Sequence, residues 1–459
     1  MVLWAHFYDG GLGSMIVMKF GGSSVANADR IRHVGRIVQD ALPRRPVVVL
    51  SAMGDTTDYL LEAAEKALEG TVALDSIKDL HIKTMADLGL PSSLNQEIQG
   101  LLKDLETLLV GISLIKEISP RTKDYLVSFG ERLSVRIGAA YFRSLGFDAR
   151  AFDAWDVGFV SDSNYTSAEV RKDCWPVIQE RIGSLVSQGV VPVVTGFIAK
   201  DPQGAITTLG RGGSDLTATI IGAACKAEEV QVWKDVDGIL TADPRLVPDA
   251  VPVEAVTYEE AAELAYFGAQ VLHPRSMQPC SAVGIPVRVK NSYNPSATGT
   301  LIVSKLEKRG SLVRAITTKK NVTLVDIVSS RMLGQYGFLA GVFQCFADHR
   351  LSVDMVATSE VSISLTLDAP HDLAHLKRDL EKIASVDIKK NKAIVTLIGD
   401  VRRSSAILEK AFGVCNQEGV QVQMVSQGAS KVNISFIVDN EEAPRIIQAL
   451  HREFFKGGV

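Results

Sequence analysis

Lys19-Phe20-Gly21-Gly22-Ser23-Ser24 brings a cation and two adjacent glycines to the end of a short apolar run, Ile16 to Phe20. Adjacent glycines let backbone N–H groups approach an anion closely, and a helix that follows presents its positive end. Lys19 adds a full charge, so the chemistry served would be phosphate binding. It is not a Walker A loop, because G-x-x-x-x-G-K-[ST] is absent. A plain strand-to-helix turn accounts for the K-x-G-G string equally well. Gly210-Arg211-Gly212-Gly213-Ser214-Asp215 precedes a second helix, expected over Leu216 to Ala224. Arg211 offers a planar fork suited to a carboxylate or phosphate, and the surrounding glycines leave it little to pack against. Asp215 near the helix start also reads as a cap or dipole partner.

Trp233-Lys234-Asp235-Val236-Asp237-Gly238, followed by Thr241-Ala242-Asp243-Pro244-Arg245, could hold a ribose or base with Lys234 and Arg245 near phosphates. An Asp/Gly-rich turn with solvated charges is the alternative. In Ser128-Phe129-Gly130-Glu131-Arg132, at the expected start of a helix, Glu131 reads by default as an exposed helical acid. His273, before Pro274, reads as a helix-end feature. No G-x-S-x-G elbow points to hydrolysis. A set of Gly, Lys, Arg and Asp loops fits phosphoryl transfer, where the protein mainly positions groups and neutralises charge.

Such loops need a frame. Ile16–Phe20, Val47–Leu50, Val190–Val194 and Val230–Trp233 are continuous apolar runs ending in Gly-, Ser- or Asp-rich loops. Helical spacing separates the early runs, over Ala28–Asp40 and throughout Tyr59–Leu109, with a turn cluster only near Pro91. That alternation predicts a parallel sheet covered on both faces. Ligands of such sheets lie beyond the carboxyl ends of the strands. Attention falls on the loops after Phe20, Leu50, Val194 and Trp233.

The chain changes after Pro295. Ser304–Arg314 is charged and aperiodic, a candidate linker, and beyond it lies an internal repeat. Leu351-Ser352-Val353-Asp354-Met355-Val356 with Val361–Asp368 returns as Val420-Gln421-Val422-Gln423-Met424-Val425 with Val432–Asp439. Helical stretches, Gly337–Asp348 and Ser404–Gln417, precede the two copies. The period of roughly 70 residues suits two small α+β domains rather than a solenoid.

Composition agrees. The 459 residues are 46% hydrophobic and 22% charged, an ordinary globular profile that excludes collagen-like, coiled-coil and disordered chains. The length suits two or three domains. A net charge of -4 gives no general attraction to nucleic acid or an anionic membrane. No apolar stretch reaches the ~18 residues of a membrane span. The 5 cysteines are scattered without a C-x-x-C pair, which favours a reducing compartment. Met1–Ser14 has neither signal-peptide nor transit-peptide character and reads as an extension, with the fold starting near Met15.

K-F-G-G-S-S-V at Lys19–Val25, S-F-G-E-R-L-S at Ser128–Ser134, G-R-G-G-S-D at Gly210–Asp215, D-V-D-G at Asp235–Gly238 and F-G-A-Q-V-L-H-P at Phe267–Pro274 together resemble, in order, the aspartate kinases of the amino-acid kinase superfamily. The likeness runs from about Met15 to the C-terminus, and the repeat resembles that family's tandem ACT domains. R-M-L-G-Q at Arg331–Gln335 and Q-V-L-H-P are similar to the single-function, lysine-inhibited plant enzymes. The resemblance implies a three-layer αβα amino-acid kinase domain over 15–304, with a mostly parallel sheet. It then implies ferredoxin-like ACT domains over 315–393 and 394–459.

It further implies transfer of the γ-phosphoryl group of ATP, with Mg²⁺, to the side-chain carboxylate of L-aspartate, the first step of lysine, threonine and methionine biosynthesis. Lys19 and Asp215 would be catalytic, with Glu131 taking the substrate ammonium, Arg211 its α-carboxylate, and Ser51 and Thr57 assisting. Lys19, Gly21, Gly22, Ser23, Lys234, Asp235, Leu240, Arg245 and Gln270 would hold the nucleotide. Gln270 stands where many relatives carry Lys. Met332, Gln335, Asp354, Thr358, Ser359 and Glu360 would bind lysine, with S-adenosylmethionine an open second effector. A homodimer or dimer of dimers through the ACT domains is expected, in the plastid stroma if the chain is plant-type and otherwise in the cytoplasm. A glutamate or acetylglutamate kinase, or an inactive ACT-based sensor, are the alternatives.

Overall fold

The structure is a computed structural model and describes residues 15–266, 272–306, 311–329, 336–368, 373–427 and 432–456. Gln270, Met332 and Gln335 lie outside them. Two compact units are formed. The first takes the described residues up to Ile239, then Glu254–Tyr258 and those from 272 to Lys305. The second takes Leu240–Val253, the described residues from Glu259 to Tyr266, and those after Leu306 together with Leu306 itself.

The strands of the first unit are β1 (Ile16–Phe20), β2 (Pro46–Leu50), β3 (Ala149–Phe152), β4 (Val191–Thr195), β5 (Ile198–Lys200), β6 (Ile206–Thr208), β7 (Glu229–Lys234), β8 (Ala255–Thr257), β9 (Val287–Asn291) and β10 (Thr300–Val303). Its helices are α1 (Ala28–Asp40), α2 (Thr56–Leu68), α3 (Asp75–Asp87), α4 (Ser92–Ile115), α5 (Pro120–Ser144), α6 (Trp175–Ser187) and α7 (Gly213–Cys225). After α8 (Tyr258–Tyr266), which starts in this unit and continues into the second, comes α9 (Pro274–Val283). An 8-stranded sheet has the order β3-β4-β2-β1-β7-β9-β10-β8, and a β5-β6 hairpin stands apart. From β3 to β9 all neighbours are parallel, and β10 turns antiparallel. The expected parallel sheet is present. Because β4, β2, β1 and β7 are consecutive, the four loops singled out above emerge side by side.

Strand alternation decides which way each side chain points. Ile16, Met18 and Phe20 join the apolar core shared with Ile31 of α1, Leu60 of α2, Leu102 of α4 and Phe129 of α5. Lys19 therefore faces the other side of the sheet, where α7 packs on β1, β2 and β7.

Two local expectations are corrected. The helical region over 59–109 breaks near Pro91 as expected but also at Gly70, giving three helices. Gly70, at φ +94, ends α2 with Gly70 N–H donating to Ala67 O and Thr71 N–H to Lys66 O, a Schellman closure. Glu131 is not at a helix start. Ser119 caps α5 through its hydroxyl, which accepts from Thr122 N–H at 3.1 Å, so the S-F-G-E-R string lies in mid-helix.

In the second unit, β11 (Val313–Val328), α10 (Phe338–Asp348), β12 (Val353–Thr358), β13 (Ser362–Asp368), α11 (Ala374–Leu380) and β14 (Ser385–Gly399) form one lobe. α12 (Ser404–Gln417), β15 (Met424–Ser426), β16 (Asn433–Asp439) and α13 (Ala443–His451) repeat the helix–strand–strand–helix pattern. The lobes share one antiparallel 6-stranded sheet, β12-β13-β11-β14-β16-β15. β11 pairs with β13 through Val322–Val328, while its first half pairs with the end of β14, which in turn pairs with β16. Asn321 and Asn391, at φ +59 and +57, sit where these two long strands pass from one lobe to the other. The position 393/394 thus falls inside a continuous strand. Leu240–Val253 clusters with this unit because Ala242 and Val247 join the core of α12 and α13. Thr241 Oγ1 and His451 Nε2, 2.9 Å apart, add a polar tie.

Candidate active site

Lys19 Nζ lies 2.6 Å from Asp215 Oδ1, and Lys234 Nζ lies 3.6 Å from Asp215 Oδ2. Lys19 is the penultimate residue of β1, and Lys234 ends the adjacent β7 on the same face of the sheet. Asp215 sits in the first turn of α7, where the helix dipole also favours an anion. Burial penalises its charge, but the two lysines outweigh that and hold the carboxyl below its ordinary range. Lys234 is pulled below the ordinary lysine range by burial, against the opposing attraction of Asp215. Gly210 and Gly212, both at φ +71, let the chain turn sharply into α7 around Arg211.

Glu131 reaches the same place from α5. A Cβ on Gly130 would stand 2.8 Å from Ala52 Cβ, and one on Gly138 2.6 Å from Leu50 Cδ1, so these two glycines let α5 press against β2 and its loop. The contact brings Ala52 N–H to 3.2 Å from Glu131 Oε1. Glu131 Oε2 is buried without a hydrogen-bond partner. Burial, only partly offset by the Ala52 hydrogen bond and Lys19, pushes the Glu131 carboxyl up to about 8. Asp124, about two turns earlier on nearly the same face of α5, accepts from Thr166 N–H, Thr208 N–H and Thr208 Oγ1 at 2.7–2.9 Å, which locks the helix start to the β5-β6 hairpin.

Lys19, Glu131 and Asp215 line one cavity of about 310 Å³, whose walls also include Gly22, Ser51 and Thr57. Gly22 is there because a Cβ would lie 3.0 Å from both Ala52 O and Gly54 O. The cavity thus offers the Lys19 ammonium at one side, with Lys234 reaching the far oxygen of Asp215 behind it, and an unsatisfied buried carboxyl oxygen at another. That combination suits a zwitterionic amino acid beside a polyanion.

Residues 14–291 match the amino acid kinase family, and residues 325–371 and 395–454 match the ACT domain. Aspartokinase 1, chloroplastic, of Arabidopsis thaliana is 52% identical over 464 residues, covering 97% of this chain and 81% of that protein. The chain belongs to the aspartokinase family. It is an ATP-dependent amino-acid kinase of biosynthesis with ACT regulatory domains. The crystal structure of E. coli aspartokinase III in complex with aspartate and ADP aligns with a TM-score of 0.79 at 34% identity, covering 96% of this chain and 100% of that one. The structure of the same enzyme in complex with lysine and aspartate aligns with a TM-score of 0.79 at 35% identity, over 96% and 99% of the two chains.

Several residues marked by the family motifs sit differently from the cavity core. Arg211 is exposed and does not line it; the charge lies near His273, whose ring is kept below its ordinary value by burial and by the Arg211 and Arg275 charges. His273 caps α9, accepting from Arg275 N–H at 3.2 Å, as a helix-end residue should. Gly21 is bonded to the neighbouring strand end, its N–H donating to Trp233 O at 3.3 Å. Ser23 and Asp235 are exposed, and the Ser23 carbonyl accepts from Tyr293. Leu240 and Arg245 belong to the second unit, where Arg245 donates to Asp243 at 2.8–3.2 Å. Sequence reasoning missed Ala52, Gly54, Phe197 and Ser214 as cavity walls. Phe197 adopts φ +68, held by its N–H donating to Thr217 Oγ1 and its carbonyl accepting from Leu209 N–H. The loops after Leu50 and Val194 and the Gly210–Asp215 string had pointed there without singling out these four residues.

In the second unit, Asp354 of β12 is not a free acid. Lys319 Nζ lies 2.8 Å from Asp354 Oδ2 and 2.8 Å from Asp368 Oδ1, and Tyr266 Oη donates to Asp354 Oδ1 at 2.8 Å. Thr358, Ser359 and Glu360 form the exposed β12-β13 turn, where Ser359 N–H donates to Ser362 O.

Proposed function

We propose that the cavity brings the side-chain carboxylate of L-aspartate to the γ-phosphate of ATP. The acceptor carboxylate is ionised at neutral pH, so the reaction needs no general base. One carboxylate oxygen forms a bond to the γ-phosphorus while the bond from that phosphorus to the β,γ-bridging oxygen breaks, giving 4-phospho-L-aspartate and ADP. The obstacle is repulsion between anions, and Lys19 and Lys234 offset it by facing the transferring group. Asp215 holds the two ammonium groups in place, while Gly21 and Gly22 allow close approach of the phosphates beside Ser23. Glu131 receives the substrate ammonium, with Ser51 and Thr57 beside it, and Arg211 swings in to the α-carboxylate. The observation that carries this reading is the buried Lys19–Asp215 pair, backed by Lys234, sharing a cavity with the unpartnered Oε2 of Glu131.

The resemblance alone supports nucleotide roles for Asp235, Leu240, Arg245 and Gln270. The described residues contain no group of three or more His, Cys, Asp or Glu suited to a metal ion. Asp215 is already engaged by two lysines. Among the described residues the side chains therefore form no metal cage, and Mg²⁺ would enter with the nucleotide, held by phosphate and water.

We propose the functional division 15–304, 315–393 and 394–459, with β11 and β14 shared by the last two. The ACT lobes, around Met332, Gln335, Asp354, Thr358, Ser359 and Glu360, would take lysine, which E. coli aspartokinase III binds in its solved complex. S-adenosylmethionine is the second effector to try, and pairing of ACT domains into a homodimer or dimer of dimers is the expected assembly. The chloroplastic relative supports a plastid location, and no described helix is long and apolar enough to cross a membrane. The test is ADP release from ATP and Mg²⁺ with aspartate, glutamate or acetylglutamate in parallel. Turnover with aspartate is expected; turnover with glutamate alone, or none, rejects the assignment.

A further inference from the structure

We infer that a second cavity of the first unit binds a small phosphate-bearing anion with a flat apolar portion. This cavity, of about 450 Å³, shares no wall residue with the one described above. Arg121 and Arg132 of α5 and Lys200 of β5 line it together with Trp155, Tyr125 and Ile206, and none of its wall residues is acidic. Lys200 Nζ stands 4.3 Å from the centroid of the Trp155 ring, and the Arg132 guanidinium carbon stands 5.9 Å from it. Two cations therefore stand over the Trp155 ring, and a third, Arg121, lines the same cavity.

The Arg132 guanidinium carries the argument. Its Nε and Nη1 are buried and have no hydrogen-bond partner. The acid beside it, Asp153, lies 3.6 Å from Nε but is already forked by Arg136 at 2.9 and 3.3 Å. Buried guanidinium N–H groups without acceptors are costly, and an oxyanion ligand removes that cost through charge-assisted bonds. A phosphate group matches three cations better than a carboxylate, since it carries more charge and presents three acceptor oxygens. The Trp155 and Tyr125 rings and Ile206 supply the surface for a flat apolar body. Glu131 and Arg132 are neighbours on α5, about 100° apart around the helix, so one helix presents consecutive residues to two different ligands.

Isothermal titration of the full chain with phenyl phosphate tests this, with inorganic phosphate and benzoate as separate arms and saturating ADP and aspartate present to fill the first cavity. One phenyl phosphate per chain is expected, bound at least tenfold tighter than either arm. Arg121→Ala/Lys200→Ala, with an unchanged melting temperature, should weaken it at least tenfold, and Trp155→Leu should reduce phenyl phosphate to the affinity of inorganic phosphate. No binding to the parent chain, or equal binding to the double variant, overturns the site. Benzoate binding as tightly as phenyl phosphate overturns the phosphate assignment.

Discussion

The Lys19 ammonium stands 2.6 Å from a carboxylate oxygen of Asp215, with both side chains less than a tenth exposed. Lys234 approaches the other oxygen, so one buried anion organises two cations. Such a pair is not valuable for stability alone, because desolvation consumes most of the Coulombic gain. Its value is preorganisation: the charges are fixed before a polyanion arrives and need not reorient during transfer.

Lys19→Ala is expected to lower kcat by ~10²-fold or more, the scale of losing one preorganised charge contact. Lys234 still neutralises Asp215, so the fold should survive. Steady-state kinetics with circular dichroism as a control checks this, and an unchanged kcat removes Lys19 from the mechanism.

Glu131 titrates near 8 because it is buried, against an ordinary 4.5. The free folded chain therefore holds a proton that the unfolded chain loses between those values, and its stability falls as pH rises from 4.5 through about 8. An ammonium ligand favours the ionised form. Aspartate binding at pH 6–7 should accordingly release close to one proton, and affinity should rise with pH up to about 8. Titration calorimetry in two buffers of different ionisation enthalpy measures the proton. Glu131→Gln should abolish the release and flatten the stability profile above pH 5; release that persists in this variant assigns the proton to another group.

Arg211 is exposed between two left-handed glycines and packs against nothing in the cavity. Arg211→Ala should leave the melting temperature unchanged while raising the KM for aspartate by roughly 10–100-fold, the worth of a charge-assisted hydrogen bond. A KM within twofold of the parent value leaves the α-carboxylate to another partner.

Asp354 already holds Lys319 and Tyr266, so an effector ammonium must compete with an internal one. Asp354→Ala should raise the lysine concentration for half-inhibition by about tenfold or more without reducing uninhibited turnover. Superimposable lysine titrations of the two proteins contradict an effector role for Asp354.

What the sequence determined by itself is local and periodic. The apolar runs Ile16–Phe20, Val47–Leu50 and Val230–Trp233 read as buried strands with glycine-rich loops at their ends, and the repeat announced two equivalent lobes. The ordered strings from Lys19 to Pro274 marked the family because they record chemistry, not packing. Tertiary structure alone decided which charges meet. Sheet order put β1 beside β7 and so brought Lys19 and Lys234 onto one aspartate. The close packing allowed by Gly130 and Gly138 turned Glu131, an apparently ordinary helical acid, into a buried carboxyl that titrates near 8. The shared six-stranded sheet interlocked two lobes that read as consecutive. Lys319, which no motif marked, became the partner of Asp354. Each depends on contacts between residues far apart in the chain, set by how faces pack and how much water they exclude, and periodicity along the chain carries no information about either.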